Sequence, residues 1–414
     1  MAAVTTDVRM RGFARRHTVE NALALLDAHL HPLSTELCPL RHANGRVLAD
    51  DIVSSVDVPG FDRATMDGYA VVAVSTDGAT PYTPLPLTVI GESLPARPFD
   101  AAGAIAPGEA VRIMTGAPLP SGCDAVLPAE WIEGDFASSQ VAAVASVSPG
   151  KNVGRIGEDI TRGTTVRERG RILRPQDLGV LSSIGVGQPR VIRQPRVRLV
   201  VTGNELLPAG SSPRRHSIAD ANGPMLSALA ERDGGLVDFP GLVSDEPDAI
   251  LQALKCDADI VIVSGGSSVG VEDLAPTLLA THGELWVHGI AMRPSSPTGF
   301  GKLGASLVFL LPGNPVSCLC AYDFFAGRAV RALGGRPKEW PYRSMAATLS
   351  RKISSQIGRL DYARVRIVDG HVEPLAIGGA SVLSSTTRAD GFVVVPGDSE
   401  GFAAGSDVNV WLYA

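Results

Sequence analysis

The chain has 414 residues and a formal net charge of −6, with 45% hydrophobic and 19% charged residues. That length is enough for about three domains with real cores. The composition is globular rather than disordered, and the mild acidity argues against a sequence-independent nucleic-acid binder, which needs a basic surplus. Glycine (45) and proline (30) are abundant while aromatics are only 5%, which points to tight turns and loop-built sites.

The first residues, MAAVTTDVRMRG, carry no apolar core of signal-peptide length, and no later apolar run approaches a membrane span. Cys38, Cys123, Cys256, Cys318 and Cys320 are scattered, with no Cys-x-x-Cys pair, and predict neither disulfides nor a structural zinc. The expectation is a soluble protein of a reducing cytoplasm. A helix is predicted from about Val19 to Leu30, with Thr18 as its N-cap and Val19, Ala22, Leu23, Leu26 and Leu30 on one face. From Val47 to about Leu173, short apolar runs split by Gly and Pro (GYAVVAV, PLTVI, AVRIM, DAVLP) read as one or two β-rich domains.

From about Arg196 to Gly335 the pattern changes. VRLVVT, DIVIVS and SLVFLL read as buried strands alternating with helices. Asn222 and Asn314 sit as capping residues before first-turn prolines, and Gly234-Gly235 and Gly334-Gly335 stand where helices should stop. This predicts a parallel sheet covered on both faces. From about Ser344 to the end, alternation such as Arg364, Val365, Arg366, Ile367 predicts a small antiparallel β domain.

Ligands of open parallel sheets bind outside the carboxyl ends of the strands. Those loops here are Thr202-Gly-Asn-Glu205, Ser244-Asp245-Glu246, Ser264 to Gly270 followed by Glu272-Asp273, and Pro312-Gly-Asn-Pro315. The loop with Gly265, Gly266, Ser267, Ser268 and Gly270 lets backbone N–H groups approach an anion. Glu205, Asp245 and Asp273 beside a phosphate would repel it unless a divalent cation intervened, so they predict Mg²⁺ bridging a phosphorylated ligand. Read singly, the Gly/Ser run is equally a plain turn and Asp245 equally a helix N-cap. Elsewhere, Asp67 lies in FDRATMDGY, Thr115 in RIMTGAP and Asp159 in GRIGED; their bland readings are a tight turn, local backbone capping and a solvated loop. The eight histidines show no paired spacing beyond His29-x-His31.

In order along the chain, FDRATMDGYAV, RIMTGAPLPSGCDAV, GKNVGRIGEDI, VTGNELLPAG, SGGSSVG and LPGNPVS strongly resemble the molybdopterin molybdenumtransferase family. That family includes bacterial MoeA-type enzymes and the E domain of gephyrin. The likeness runs from about His17 to the C-terminus. It implies a multidomain α/β plus β architecture: residues 1–60 and 146–190 as a linker and dimerisation domain, 61–145 as an inserted β-rich domain, 191–340 as a three-layer MoaB/MogA-like α/β domain, and 341–414 as a small β-barrel-like domain. It further implies a homodimer that inserts molybdate into adenylylated molybdopterin with Mg²⁺-dependent release of AMP. The implied site is a cleft between the α/β domain of one subunit and the MDGYAV region of its partner. Possible partners in the same chemistry are a molybdopterin adenylyltransferase and acceptor molybdoenzymes, with no nucleic acid and no membrane.

Residue by residue, the resemblance assigns Asp67 and Thr115 to the partner's contribution, Asp159 to a further site position, and Glu205, Asp245 and Asp273 to the acidic, Mg²⁺-holding set. Pro312 and Pro315 shape the turn beside the ligand. Arg359 and Arg364, with Ser384 and Ser385, resemble C-terminal residues that reach the cleft, which arginine does so being left open. The chain departs from the family in two places. Where a KPGKP-like segment is common it has Arg293-Pro-Ser-Ser296-Pro, so Arg293 is the cation retained there, and Asn204 stands where Asp is usual. The missing lysines leave a non-catalytic cofactor-binding paralogue as one alternative. A molybdopterin adenylyltransferase is another, although the MDGYAV region and the C-terminal domain favour the transferase.

Overall fold

A computed structural model describes residues 16–100, 103–135, 137–266, 274–376 and 379–413. Two units separate: residues 16–37, 45–49 and 190–413 form one, and 38–44 with 50–189 form the other. Among the described residues no helix is long and apolar enough to cross a membrane, and none of the five cysteines is in a disulfide.

The larger unit is built on a seven-stranded sheet. Leu236–Asp238, Arg196–Thr202, Ile260–Ser264 and Ser306–Leu311 lie side by side and parallel, with Leu242–Val243 also pairing along Arg196–Thr202. Strand alternation divides their side chains between two cores. Val197, Leu199, Ile260, Ile262 and Phe309 pack with helix Asn222–Arg232 and the helical run after Pro315. Val200, Val261, Val263 and Val308 pack with helices Pro247–Leu254 and Ala275–His282. Both faces are therefore covered, as the apolar runs predict.

The sheet is mixed, however, where the sequence predicts a parallel one. Gly299–Leu303 and Glu284–His288 add antiparallel to its edge. Gly304-Ala305, with Gly304 at φ +61°, is too short a link for a parallel crossover and enforces a hairpin. The helix from Val19 ends at Asp27, three residues before the predicted Leu30, with Thr18 capping it as expected. Asn222 is not the cap of its helix. The Asp220 carboxylate accepts the N–H groups of Asn222 and Gly223 at 2.8 and 2.9 Å, which releases the Asn222 side chain for other work.

The C-terminal region closes a barrel: Leu360–Val368, His371–Ala376, Ser344–Leu349, Asp407–Leu412 and Gly391–Val395 pair in that order, and the last returns to the first. One pairing, Ser344–Leu349 with His371–Ala376, is parallel, so the domain is not wholly antiparallel as predicted. Ala363, Val365, Val393, Val395, Val408 and Val410 pack together in one core. Their neighbours Tyr362 and Phe392 stack at 4.2 Å and belong to the core under the α/β sheet, which joins barrel to sheet. Met292–Arg293 pairs in parallel with the barrel strand at Leu360–Asp361.

The smaller unit carries a six-stranded sheet in the order Ala125–Pro128, Gly68–Val71, Glu109–Ile113, Leu85–Ser93, Gln140–Ala143, Ile132–Glu133. Its strands again alternate, with Tyr69, Val71 and Leu127 in one core and Ala70, Val111 and Val126 in another.

Beneath the sheet of the larger unit, Asp233 and Asp323 are buried among Arg232, Arg331, Tyr322 and Tyr342. Burial pushes Asp323 from its ordinary 3.8 up to about 6, against the pull of Arg232. The native state then keeps a proton that the unfolded chain gives up. Asp323 accordingly favours folding at low pH, and that contribution is lost as pH rises through about 6. Asp323→Asn, which keeps an acceptor for Tyr342, should gain in Tm relative to the unsubstituted chain as pH rises from about 4 to about 7. A Tm difference constant across that range would show that Asp323 does not titrate there.

Candidate functional site

The turns after the parallel strands meet around a cavity of about 500 Å³. Glu205, Asp220, Asn222 and Asp245 line it together with Gly265, Gly266 and Pro315. Gly265 has φ +98°, and a Cβ there would stand 2.1 Å from the Thr202 carbonyl oxygen, so the chain leaves the strand in a way only glycine permits. Asp245 accepts a hydrogen bond from the Thr202 hydroxyl and one from the Asn204 N–H at 2.8 Å. The helix that follows is capped at Glu246 with no side-chain bond, so the N-cap reading of Asp245 is overturned. Its carboxylate ties two loop segments together at the cavity rim, and the neutral Asn204 sits beside it without adding charge. Ser267, Ser268, Gly270 and Asp273 lie outside the described residues.

A second cavity of about 460 Å³ shares Gly313 and Asn314 with the first. Pro312, Ser296 and the guanidinium-bearing Arg16, Arg293 and Arg359 line it. Under it, Asp361 is fully buried. Arg293 donates to its carboxylate, Arg359 Nε stands 3.2 Å from Oδ1, and the Ser355 hydroxyl donates at 2.8 Å. One buried carboxylate thus orients two cations of a three-cation cavity, which stays positive overall. Ser295 donates to the Ser317 carbonyl at 2.5 Å and holds φ +87°, a conformation suited to glycine. Ser296 Oγ is buried with no hydrogen-bond partner among the described residues.

Of the two arginines, Arg359 lines the second cavity, whereas Arg364 is fully buried in the barrel strand and lines neither cavity. Burial holds the Arg364 guanidinium below its ordinary pKa. Ser384 stands exposed on the short helix Ser384–Thr387, Ser385 is buried on the same helix, and Ser381 lines the acidic cavity instead.

In the smaller unit, three sequence segments knit together. Asp67 Oδ1 accepts from both the N–H and the hydroxyl of Thr115 at 2.7 Å. Those two bonds, the backbone one first, hold Asp67 below the usual carboxylate range. The Ala64 N–H donates to Ala117 O and the Thr65 N–H to Asn152 O, while Asp62 binds Arg155 at 2.8 Å and the Ile156 N–H at 2.8 Å. Asp159 is exposed on the turn that Asp62 braces, its N–H bonded to Val58 O. Asp67 and Thr115 are exposed too, and the same unit exposes the apolar side chains of Phe61, Met66 and Ile156.

Sequence reasoning missed Asp220, Asn222 and Ser381 in the first cavity and Arg16 in the second. Asp220 was detectable in principle: two residues before Asn222-Gly-Pro224, it is the better-placed helix cap. Arg16 and Ser381 carry no local signal.

Three family models match in succession: "MoeA N-terminal region (domain I and II)" over residues 17–185, "Probable molybdopterin binding domain" over 198–333, and "MoeA C-terminal region (domain IV)" over 346–413. Molybdopterin molybdenumtransferase 2 of Mycobacterium tuberculosis is 35% identical over 387 residues, covering 90% of this chain and 94% of that protein. The molybdopterin molybdenumtransferase of Haemophilus influenzae is 34% identical over 395 residues, covering 92% and 94%. Among solved structures, the molybdopterin biosynthesis MoeA protein of Pyrococcus horikoshii superposes with a TM-score of 0.78 at 32% identity, over 97% of this chain and 100% of that one. With end-to-end relatives at this identity and the same fold throughout, the chain belongs to the molybdopterin molybdenumtransferase family.

Proposed function

We propose that this chain inserts molybdate into adenylylated molybdopterin in a Mg²⁺-dependent reaction that releases AMP, and that it works as a homodimer. The observation that carries this reading is the pair of adjoining cavities. One is acidic and glycine-lined at the carboxyl edge of the parallel strands; the other is lined by Arg16, Arg293 and Arg359; Gly313 and Asn314 border both. A ligand lying across that border puts its adenylylated end and an oxyanion within reach of each other, which turns insertion into an effectively intramolecular event.

The donor set suits a hard cation. Glu205 and Asp245 offer carboxylate oxygens, and Mg²⁺ typically takes one or two carboxylates and fills its shell with water and phosphate oxygens. Bound there, Mg²⁺ would neutralise the phosphoanhydride oxygens. Arg293 and Arg359, preset on Asp361, hold molybdate by charge-assisted hydrogen bonds without reorganising when it arrives. The lysines missing near Arg293 are thus offset by Arg16 and Arg359, which favours catalysis over a carrier role.

The homodimer reading is supported by the exposed Asp67–Thr115 pair and by the apolar side chains of Phe61, Met66 and Ile156 that the same unit leaves exposed, polar groups for a ligand and apolar area for a second copy.

Purified protein mixed with adenylylated molybdopterin, Mg²⁺ and molybdate should release AMP and yield active cofactor; binding without AMP release would refute the transferase. Arg359→Gln should raise the molybdate KM by about 10- to 100-fold, the worth of a charge-assisted bond, and an unchanged KM would remove Arg359 from oxyanion binding. Asp67→Ala and Glu205→Gln should each be inactive alone, yet mixed and re-dimerised they should recover about a quarter of the original rate, because heterodimers hold one intact shared site. No recovery would place both residues in a site within one subunit.

A further inference from the structure

A smaller cavity of about 210 Å³ opens at the opposite edge of the seven-stranded sheet. Leu307 and Leu333 line it with apolar surface, Trp286 and His29 with rings, and Asp259, Lys302 and His31 with polar groups. Asp259 immediately precedes the strand Ile260–Ser264, and Leu307 stands at the start of Ser306–Leu311; the far ends of those strands lead into Gly265 and Pro312. Five or six strand residues, about 16 to 20 Å, therefore separate this cavity from the rim that carries the two larger ones.

Its aromatic wall is preset. His29 stacks on Trp286 with ring centres 4.0 Å apart and 24° between the planes. The Leu25 carbonyl accepts from His29 Nδ1 at 2.9 Å, and Trp286 Nε1 donates to Glu284 Oε2 at 2.9 Å. The charges are unevenly spent. Asp259 is already matched: both Arg193 terminal nitrogens donate to it at 2.8 and 2.9 Å, and the Arg196 N–H at 2.7 Å. Glu284 stands directly opposite Lys302 in the sheet, but its carboxylate serves the indole. Among the described residues, neither the half-buried Lys302 ammonium nor the His31 ring has a hydrogen bond or an ion pair.

An uncompensated ammonium beside apolar and aromatic surface suits an anion with an apolar body. Inorganic phosphate would answer Lys302 and leave Leu307, Leu333 and Trp286 facing water; an uncharged ring would do the reverse. The volume lies below the roughly 300 to 1,000 Å³ of sites for drug-sized ligands, which leaves room for one ring system and not for a nucleotide. We propose that this cavity is a second ligand site, apart from the reaction proposed above, for a planar aromatic monocarboxylate. Its ring packs against Leu307, Leu333 and Trp286, and its carboxylate takes the Lys302 ammonium and an N–H from the His31 ring, which offers one in either tautomer.

The probes are 2-naphthoate and 2-naphthamide, the same ring without the charge, titrated into the full chain and followed by ligand-observed NMR. 2-Naphthoate should bind with a Kd of about 1 mM or tighter, as a ligand of its size can, and about 5-fold or more tighter than the amide. Lys302→Gln should lose about 5-fold or more in 2-naphthoate affinity and the preference over the amide with it, while Lys302→Arg, which keeps the charge, should retain both. Neither variant has a native partner to lose, so both should keep the Tm of the unsubstituted chain. Trp286→Leu should weaken both probes alike, and AMP with Mg²⁺ should displace neither. The inference is overturned by equal affinity for acid and amide, by unchanged 2-naphthoate binding in Lys302→Gln, or by the absence of saturation. Displacement by AMP would also overturn it, because the probe would then sit in the larger cavities. None of these outcomes bears on the proposed transferase reaction, which is tested by AMP release.

Discussion

The structure depends on one geometric constraint, the parallel pairing of Leu236–Asp238, Arg196–Thr202, Ile260–Ser264 and Ser306–Leu311. Parallel strands deliver all their carboxyl ends to one edge, and burial on both faces locks the register, since a one-residue slip would exchange the two sets of side chains. Turns far apart in sequence, at 202–205, 244–246, 264–266 and 312–315, therefore share a rim without contacting one another in the chain. Glycine-tight exits such as Gly265 then bring backbone rather than side chains to that rim, leaving space for a ligand.

Charge is separated along this rim. Carboxylates gather at the first two turns, with Asp220 lining the same cavity, and guanidinium groups beyond the fourth, with Gly313 and Asn314 bordering both cavities. A net charge of −6 says nothing of this arrangement. An anionic substrate needs local complementarity, and a chain that is acidic overall supplies it by holding its cations on a buried carboxylate, Asp361, where water cannot screen them fully.

Much of this was legible in the residues. β-branched runs such as DIVIVS announce buried strands, and the loop motifs place Glu205 and Asp245 at their ends. The mixed edge of the sheet was not legible, because GFGKL, with two glycines and a lysine, has little strand signal and gains its conformation from pairing with Ser306–Leu311. The closing of the barrel depends on Leu360–Val368 meeting Gly391–Val395, a distant pairing that local pattern does not encode. Asn222, just ahead of a first-turn proline, has the local pattern of a helix cap. Asp220 outcompetes it, and that exchange turns Asn222 toward the cavity. Asp67 and Thr115 stand 48 residues apart and are joined by a hydrogen bond. The family resemblance pointed to both, and spacing alone to neither.

The two-residue strand Met292–Arg293 belongs by sequence to the α/β region yet is stitched to the barrel at Leu360–Asp361. The barrel is thus more than an appended module. It supplies Arg359 and the carboxylate on which Arg293 rests, so the positive cavity exists only where two folds meet. Evolution could not have acquired that half of the site by loop variation on the α/β domain alone; it had to recruit a second fold and keep its docking angle under selection.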